Sequence, residues 1–454
     1  MKKTTLAIVS GLLLSLPGTC VSAQTISPIP LVNTPLVPST KAPGGHNFVL
    51  TVNGNGFTSG SVVQWNGRAQ KTKFVSTTQL TAGIPAANIA TASTATVTVA
   101  NAGKNHTSNP VLFQVTTSEQ NISLSVIPTG LVGPVMTADL NGDGMPDLIV
   151  QQSSTTLQIA LATGNGTFGQ PQVITLPIYV AFTVGRFLSS GQPDIAVATV
   201  NGVEILPNNG SGQFGAPRTI ASNYFSALAA ADLDGDGRLD LIGSQETLPP
   251  YVGVILRQAN GGFKAPVLYP AGNGPTIIAP GDFNRDGVAD LAVLNQGDDS
   301  ISVFLGNGDG TFQPQVLYST GSGTSIDVPT GLLVADFNGD GKLDLARAAA
   351  DFMAGTGVLL GNGDGTFQPI VAFQTSSYGL VAGDFNGDGI LDVATGVNGT
   401  GTGILLGKGD GTFSALYNFD PPDLGFGVSA ADFNNNGRLD LAVKTSNGVM
   451  ILEQ

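Results

Sequence analysis

The stretch Asp139-Leu140-Asn141-Gly142-Asp143-Gly144-Met145-Pro146-Asp147 places carboxylate or carboxamide side chains at its first, third, fifth and ninth positions. Five further copies of this acidic loop occupy residues 232–240, 282–290, 336–344, 384–392 and 432–440, and a degenerate copy occupies residues 186–194. Successive copies begin 46 to 54 residues apart. A period in this range indicates an array in which each repeat forms one supersecondary unit. We number the loops 1 to 7 in chain order, so the degenerate copy is loop 2.

The loop pattern also predicts metal binding. Side-chain oxygens at positions one, three, five and nine, with a backbone carbonyl at position seven, suit a hard cation that takes six to eight oxygen ligands. Calcium is favoured over magnesium, because magnesium prefers few carboxylates and keeps several waters. The predicted ligands are Asp139, Asn141, Asp143, Met145 and Asp147; Asp232, Asp234, Asp236, Arg238 and Asp240; Asp282, Asn284, Asp286, Val288 and Asp290; Asp336, Asn338, Asp340, Lys342 and Asp344; Asp384, Asn386, Asp388, Ile390 and Asp392; and Asp432, Asn434, Asn436, Arg438 and Asp440.

The loops differ in charge, and the count of ions follows from this difference. Loop 3 has four aspartates and is expected to bind most tightly, whereas Asn434 and Asn436 lower the charge of loop 7. Loop 2 has Arg186, Leu188 and Ser190 at the first, third and fifth positions, so it should hold no ion. We therefore expect up to six Ca²⁺ ions, with Arg186 supplying a fixed positive charge in loop 2. The alternative is that the aspartates only form turns.

A second turn, Gly-x-Gly-Asp-Gly-Thr-Phe, recurs at residues 306–312, 361–367 and 407–413. Its aspartates, Asp309, Asp364 and Asp410, are candidate ligands, but Asp-Gly is more often hairpin turn chemistry. Six phenylalanines occupy equivalent places in the repeats and are expected to be apolar anchors between neighbouring units: Phe168, Phe214, Phe263, Phe312, Phe367 and Phe413.

Each unit of about fifty residues contains four short strand patterns, which is typical of a propeller blade. The chain ends after a third strand at residues 448–452, and an extra strand pattern at residues 122–127 precedes the first unit. We expect this N-terminal strand to complete the last blade, because closure removes an open sheet edge. The sequence therefore predicts an all-β protein with a seven-bladed β-propeller over residues 121–454.

Residues 26–117 lack acidic loops and form a separate predicted domain. Alternating runs at residues 47–52, 61–65, 79–82 and 94–99 indicate short strands, and Asn66-Gly67 is a tight hairpin signal. About ninety residues of short strands predict a small immunoglobulin-like β-sandwich. The histidines, His46 and His106, both lie here and are expected to be surface or turn residues.

Both domains resemble known families. The segments Gly54–Phe57, Ser61–Gly67 and Phe74–Thr81 are similar to IPT/TIG immunoglobulin-like domains. In the array, Phe214-Gly215-Ala216-Pro217 and residues 261–266 resemble FG-GAP/VCBS repeats, as found in the propeller of integrin α-subunits. The resemblance implies a propeller fold. It leaves function open, because this family serves adhesion, sugar binding and accessory roles in enzymes.

Residues 1–23 have the features of a secretory signal peptide: Lys2 and Lys3, an apolar region over residues 6–16, and the small-residue cleavage site Val21-Ser22-Ala23. Cleavage there removes Cys20, the chain's one cysteine, so no disulfide is expected. No other segment is long and apolar enough to span a membrane. The predicted location is secreted, periplasmic or at the cell surface.

The formal net charge of -14 is concentrated in the loops, which hold 19 of the 32 acidic residues. No basic stripe indicates a nucleic acid partner. No catalytic constellation is visible, since both histidines lie outside the array and the carboxylate clusters are explained as metal loops. We expect a binding or adhesion protein, monomeric and not an enzyme, with an unknown protein or glycan ligand. The alternatives are a calcium-dependent carbohydrate-binding protein and an accessory part of an extracellular polysaccharide-degrading system.

The predicted functional surface is the face of the disc opposite the acidic loops. Second turns and the links between units vary in length and sequence, whereas the acidic loops and third turns recur with little change. Exposed aromatic residues often contribute much of the energy at an interface. The aromatic residues on these variable segments are either contact residues or ordinary loop and core residues: Tyr179, Tyr224, Tyr251, Phe352, Tyr378 and Phe426.

Overall fold

The computed structural model describes residues 27–102, 106–119, 122, 124–188, 192–246, 248–320, 329–350, 356–373, 377–397, 401–419, 427–445 and 448–454. The predicted signal peptide, Ser190, Phe352 and Phe426 lie outside these residues. The described chain is all-β apart from one short 3-10 helix, Ala86–Ile89. None of the helical structure described is long and apolar enough to cross a membrane.

The N-terminal domain consists of two sheets. In sheet order, the strands are Leu31–Val32, Phe48–Asn55, Gln79–Ile84 and Lys71–Ser76 in one sheet, and Thr40–Lys41, Val111–Val115, Ser93–Ala100, Val62–Trp65 and Arg68–Ala69 in the other. One hydrophobic core joins them, in which Trp65 packs against Phe48 and Phe113. Asn66 and Gly67 both have positive φ, as the predicted two-residue hairpin turn requires.

Seven four-stranded antiparallel sheets follow in the described part of the array, and we number them 1 to 7. In sheet order, their strands are Val135–Ala138, Asp147–Ser153, Thr156–Ala160 and Gln172–Thr175; Tyr179–Gly185, Asp194–Thr199, Gly202–Leu206 and Arg218–Ala221; Ala227–Ala231, Asp240–Gln245, Tyr251–Ile255 and Val267–Pro270; Pro275–Gly281, Asp290–Asn295, Ser300–Phe304 and Val316–Ser319; Pro329–Ala335, Asp344–Ala349, Thr356–Leu359 and Val371–Phe373; Ser377–Gly383, Asp392–Val397, Gly401–Gly407 and Phe413–Phe419; and Val428–Ala431, Asp440–Thr445, Gly448–Glu453 and Ser125–Pro128. A small hairpin, Ala162–Gly164 with Thr167–Phe168, extends the third turn of sheet 1.

The second and third strands of each sheet are the most deeply buried. In sheet 2, for example, every residue of Asp194–Thr199 and Gly202–Leu206 is buried. A strand that packs on both faces loses the alternation of polar and apolar residues, which explains the continuous apolar runs beside each loop. The fourth strands are more exposed and form the outer edges of the sheets.

Hydrophobic clusters fill the spaces between successive sheets. One cluster combines Ile149 and Leu157 of sheet 1 with Ile195 and Val197 of sheet 2, and equivalent clusters follow along the array. A further cluster joins sheet 7 to sheet 1. The first strands of sheets 2 to 7 contact one another in sequence, and the first strand of sheet 7 contacts that of sheet 1.

The phenylalanines of the third turns lie in these clusters, as the sequence predicts. Phe367 packs edge-to-face on Phe283 of the preceding loop, with ring centroids 5.4 Å apart. Phe168 packs on Phe433 in the same way, at 5.9 Å, across the boundary between sheets 1 and 7. Edge-to-face ring pairs add to the energy of apolar burial, so each third turn fastens one sheet to its neighbour.

The fourth strand of sheet 7 comes from the beginning of the array. Ser125–Pro128 pairs antiparallel with the C-terminal strand, with Val126 opposite Leu452 and Ile127 opposite Ile451. This is the pairing that the sequence predicts between the extra N-terminal strand and the last, three-stranded unit. Sheet 7 therefore joins the two ends of the array through backbone hydrogen bonds.

Changing Ile451 to Ala should destabilise the junction between sheets 7 and 1. The Ile451 side chain is fully buried in the cluster shared by these sheets, and removing such a side chain costs about 2–5 kcal/mol. We expect urea unfolding to report a loss in this range. Val126→Ala is the control, because Val126 lies on the partner strand but is 44% exposed. Equal effects of the two changes would contradict this assignment of the core.

Candidate metal centres

The aspartate at position nine is fully buried in all seven loops: Asp147, Asp194, Asp240, Asp290, Asp344, Asp392 and Asp440. One of its carboxylate oxygens accepts a backbone N–H from the start of its own loop, at 2.7–2.9 Å. The other accepts a backbone N–H from the segment after the third strand, at 2.7–2.9 Å, which is the third turn in sheets 1 to 6 and Gln454 in sheet 7. The position-nine carboxylate thus joins the first turn to the end of the third strand in each sheet.

The remaining acidic positions are held by the loop's own backbone. In loop 4, Asp282 accepts from the amides of Asp286 and Gly287, at 3.1 and 3.0 Å. Asn284 Oδ1 accepts from the amide of Asp286, and Asp286 Oδ1 accepts from the amide of Val288. Such local bonds favour turns over regular structure. The side-chain oxygens are therefore ordered before any ligand binds.

The carboxylates converge most clearly in loop 3. Oxygens of Asp232, Asp234 and Asp240 lie within 4.8 Å of one another. Three carboxylates in such a small space are a donor set for a hard divalent cation. The structure thus brings the first, third and ninth positions together, as the ligand pattern requires.

Burial raises the pKa values of these carboxyl groups. The pKa values of Asp240 and Asp392 rise to about 8, and those of Asp290 and Asp440 rise to about 7. Burial is the main cause, and the neighbouring carboxylates of the same loop raise the pKa values further. The pKa of Asp232 rises to about 6 for the same reasons. A cation placed among these groups would favour their charged forms.

Two loops place a basic side chain on the position-five carboxylate. The Arg238 guanidinium pairs with Asp236, and the Lys342 ammonium lies 2.9 Å from Asp340. The Lys342 hydrogen bond and charge contribute to lowering the pKa of Asp340. In these loops, one oxygen of the fifth ligand already has a cationic neighbour, so an incoming metal ion would compete with it.

Loop 2 keeps only its ninth acidic position. Asp194 also accepts two backbone amides, from Leu188 at the third loop position and from Asn208, whereas Arg186 stands at the first position. The charge of Asp139 in loop 1 acts on Arg186 and tends to raise its pKa, although burial lowers it overall. The predicted fixed charge in loop 2 therefore lies within electrostatic reach of the neighbouring loop.

The third-turn aspartates are turn formers in this structure. Asp309, Asp364 and Asp410 each accept hydrogen bonds from the backbone amide and the hydroxyl of the threonine two residues later. These bonds lower the pKa of each carboxyl group. The turn interpretation given with the sequence accounts for them.

The sequence did not indicate that the N-terminal domain lies against the acidic loops. The Ile29 amide donates to Asp232 Oδ2 at 2.7 Å in loop 3, and the Asp336 amide of loop 5 donates to the Thr34 carbonyl at 2.9 Å. In loop 6, the Gln114 side-chain amide donates to the Asp384 carbonyl at 2.6 Å. These bonds involve backbone atoms, which leave no side-chain signature in the sequence.

Further contacts extend this interface to loops 4 and 7. Thr77 lies beside Gly287 of loop 4. Ser93 and Val115 border Gly437 of loop 7, and Arg438 of that loop forms an ion pair with Glu119, just after the domain, at 2.6 Å. His106 packs against Gly237 of loop 3, and burial lowers its pKa. His106 is thus an interface residue rather than the surface or turn residue that we expected.

The fold defined by these sheets and loops is all-β and propeller-like. The structure of BBS1N in complex with ARL6DN has a TM-score of 0.50 and 15% identity, covering 72% of this chain and 94% of that chain. A lectin from Agrocybe aegerita that recognises non-reducing terminal N-acetylglucosamine has a TM-score of 0.49 and 19% identity, covering 78% and 95%. At these identities the likeness concerns the fold alone.

The sequence also matches two family models. The FG-GAP-like repeat matches residues 187–243, 289–347 and 384–443, and the IPT/TIG domain matches residues 31–115. The chain is therefore an FG-GAP repeat protein with an N-terminal IPT/TIG domain. An auxiliary nutrient binding protein from Bacteroides thetaiotaomicron is 11% identical, with a TM-score of 0.42, and covers 93% of this chain and 97% of that chain. No curated protein matches the sequence.

The stability of the metal-free protein should fall as pH rises. Asp240 and Asp392 have folded pKa values of about 8 against an ordinary value of 3.8, so the folded state holds protons that the unfolded chain has released. Their contribution is complete below the unfolded value and is lost as pH rises through the folded value, at about 1.4 kcal/mol per pH unit for each proton. Urea unfolding of metal-free protein between pH 5 and pH 9 measures this slope.

Asp392→Asn is the matched variant for this measurement. It removes one of the titrating groups, so its stability should fall less steeply with pH than that of the wild type. Because a bound cation holds the carboxylates ionised, saturating calcium should remove the fall in both proteins. A metal-free protein that becomes more stable between pH 5 and pH 8 would contradict the raised pKa values.

Proposed function

We propose that the seven sheets are the blades of a closed β-propeller and that the N-terminal domain is an immunoglobulin-like sandwich. The circuit of hydrophobic clusters, which includes one between sheets 7 and 1, supports closure. The shared sheet of Ser125–Pro128 and Gly448–Glu453 supports it as well. The two-sheet core around Trp65 supports the sandwich.

We further propose that loops 1 and 3 to 7 bind up to six calcium ions, whose role is structural. The convergence of carboxylates in loop 3 and the raised pKa values of buried aspartates support this proposal. Without a counter-charge, these carboxylates repel one another in a poorly solvated space. Calcium ions would remove that repulsion and fix the loops on which the N-terminal domain lies.

The function that we propose is binding, at the cell surface or outside the cell, through the face opposite the acidic loops. One observation carries this proposal: the N-terminal domain lies against loops 3 to 7, so much of the acidic-loop face is already in contact with another part of the chain. The described second turns and inter-sheet links lie at the opposite end of the antiparallel sheets from the acidic loops. The partner is a protein or a glycan.

Exposed apolar side chains support the choice of this face. They occur in the links and second turns of sheets 1 to 3, at Val132, Ile178, Val200, Tyr224 and Leu248, and at Val180 near the start of the first strand of sheet 2. Large exposed apolar residues grouped on one surface mark interaction sites in soluble proteins. Of the aromatic residues that the sequence placed on this face, Tyr224 is 38% exposed, whereas Tyr179 is buried in the core between sheets 1 and 2.

Calcium should contribute strongly to stability and bind at six sites at most. Extracellular modules bind calcium with dissociation constants of ~10⁻⁴–10⁻³ M, and at tenfold saturation each site adds roughly 1.4 kcal/mol by mass action. We expect the melting temperature to fall steeply in EGTA. Asp236→Ala should remove one tight site from the calcium count, whereas Ser190→Ala in loop 2 should leave the count unchanged.

An unchanged melting curve in EGTA would refute the structural role of calcium. An ion in loop 2, at residues 186–194, would refute the assignment of ligands by position. The two outcomes are separate, because the first concerns the energy of binding and the second concerns its place.

The proposed binding face can be tested on glycan and matrix-protein arrays, with and without calcium. A Tyr224→Ala, Leu248→Ser double variant should lose the signals of the wild-type protein, because both side chains are exposed on that face. Val267→Ser, Val316→Ser is the control, since these exposed residues lie on the outer strands of sheets 3 and 4. Signals that the control variant loses and the face variant keeps would place the site on the rim.

A further inference from the structure

A small polar cleft lies between the N-terminal domain and loops 4 and 5, with a volume of about 110 Å³. We call it the interdomain cleft. The N-terminal domain lines it with carboxamide and hydroxyl side chains, and the propeller-like array contributes Arg285 and Asp282. The polar side chains on the N-terminal side are Asn33, Asn53, Ser76, Thr78 and Gln79.

Arg285 differs from the residues at the same repeat position in loops 1, 3, 5, 6 and 7, where that position is described. It is the fourth residue of loop 4 and has φ of 63°. The same position is glycine in loops 1, 3, 5 and 6, with φ between 69° and 78°, and asparagine in loop 7, with φ of 57°. Glycine adopts this left-handed conformation freely and asparagine tolerates it, whereas other side chains are strained there. Loop 4 therefore retains a strained arginine where its neighbours use unstrained residues.

The Arg285 side chain makes no stabilising polar contact with a described residue that would offset the strain of its backbone. Its side chain is exposed, and its guanidinium makes no hydrogen bond or ion pair with any described residue. The basic residues of the other loops differ: Arg238 pairs with Asp236, Lys342 with Asp340, and Arg438 with Glu119. Strained backbone conformations that no structural contact stabilises occur mainly at functional positions.

The neighbouring carboxylate does not block an anionic ligand. Asp282 is buried, and its two oxygens accept the backbone amides of Asp286 and Gly287. Those bonds turn its charge toward the loop backbone. The unpaired guanidinium of Arg285 is thus the exposed charge of the cleft, and a guanidinium recognises a carboxylate with two parallel hydrogen bonds.

We propose that the interdomain cleft binds an acidic saccharide, through one sugar ring that carries a carboxylate. Arg285 pairs with the carboxylate, and the carboxamides and hydroxyls of the opposite wall exchange hydrogen bonds with the sugar hydroxyls. These groups both donate and accept, as a hydroxyl-rich ligand requires. The lining has little apolar surface, which disfavours a peptide side chain or a lipid. The site is separate from the binding face proposed above and does not depend on it.

The test uses the full mature protein in calcium, titrated with galacturonate and glucuronate by calorimetry and ligand-observed NMR. Galactose and glucose are the matched neutral sugars, because they differ only at the sixth carbon. We expect a uronate to bind at least about tenfold more tightly than its neutral counterpart, as a charge-assisted hydrogen-bonded pair implies. Failure of both uronates to bind, or equal binding of the neutral sugars, overturns the proposal.

Three variants separate the site from general stability. Arg285→Gly should weaken uronate binding about tenfold or more and raise the melting temperature, because glycine removes the strain. Asn435→Gly relieves the same backbone position in loop 7 and should leave uronate binding unchanged. Asn33→Ala, on the opposite wall, should weaken binding of the same uronate. Unchanged binding by the Arg285→Gly protein, or an equal loss in the Asn435→Gly protein, overturns the assignment of Arg285.

Discussion

The buried aspartate at the ninth loop position is the interaction on which the array depends. One oxygen accepts an amide from the acidic loop and the other accepts an amide from the residues after the third strand, and this pair of bonds occurs in all seven sheets. Loop 2 shows that the bond pair is independent of the rest of the acidic pattern, since Asp194 persists where the first, third and fifth positions have lost their acids. The ninth position therefore serves the fold, and the earlier positions are free to serve a ligand.

The hydrogen bonds to both oxygens of the position-nine aspartate explain why its burial is tolerated. A buried carboxylate costs much less free energy when each oxygen accepts a hydrogen bond. The two backbone amides lower the pKa of Asp392, yet burial still raises it to about 8, and Asp384 and Asp388 add repulsion. The fold thus creates a place where positive charge is favourable. The same aspartate that holds the acidic loop to the third strand would also help to define the proposed cation site.

Most of the array could be predicted from the sequence because its determinants are local and repeated. Spacing, turn residues and apolar runs define one sheet. The incomplete last unit predicts pairing with a strand at residues 122–127, and the structure shows this pairing at Ser125–Pro128. The position of the N-terminal domain could not be predicted, because its contacts use backbone groups such as the Ile29 amide and the Asp384 carbonyl. The burial of Tyr179 could not be predicted either. Tyr179 lies next to a link in the sequence, but its burial results from the packing of sheet 1 against sheet 2.

The docked domain makes similar repeats unequal. Contacts to loops 3 to 7 give each of these loops a different neighbour, and loops 4 and 5 meet the N-terminal domain across a polar cleft. A residue that would only destabilise most copies of the repeat can then have a binding role in one copy. Arg285 is the example, because its strained backbone costs stability in loop 4 while its side chain lines a cleft opposite amides and hydroxyls of the N-terminal domain. The N-terminal domain makes different contacts with different repeats. One loop can therefore acquire a binding residue while the hydrogen bonds shared by all the sheets are kept.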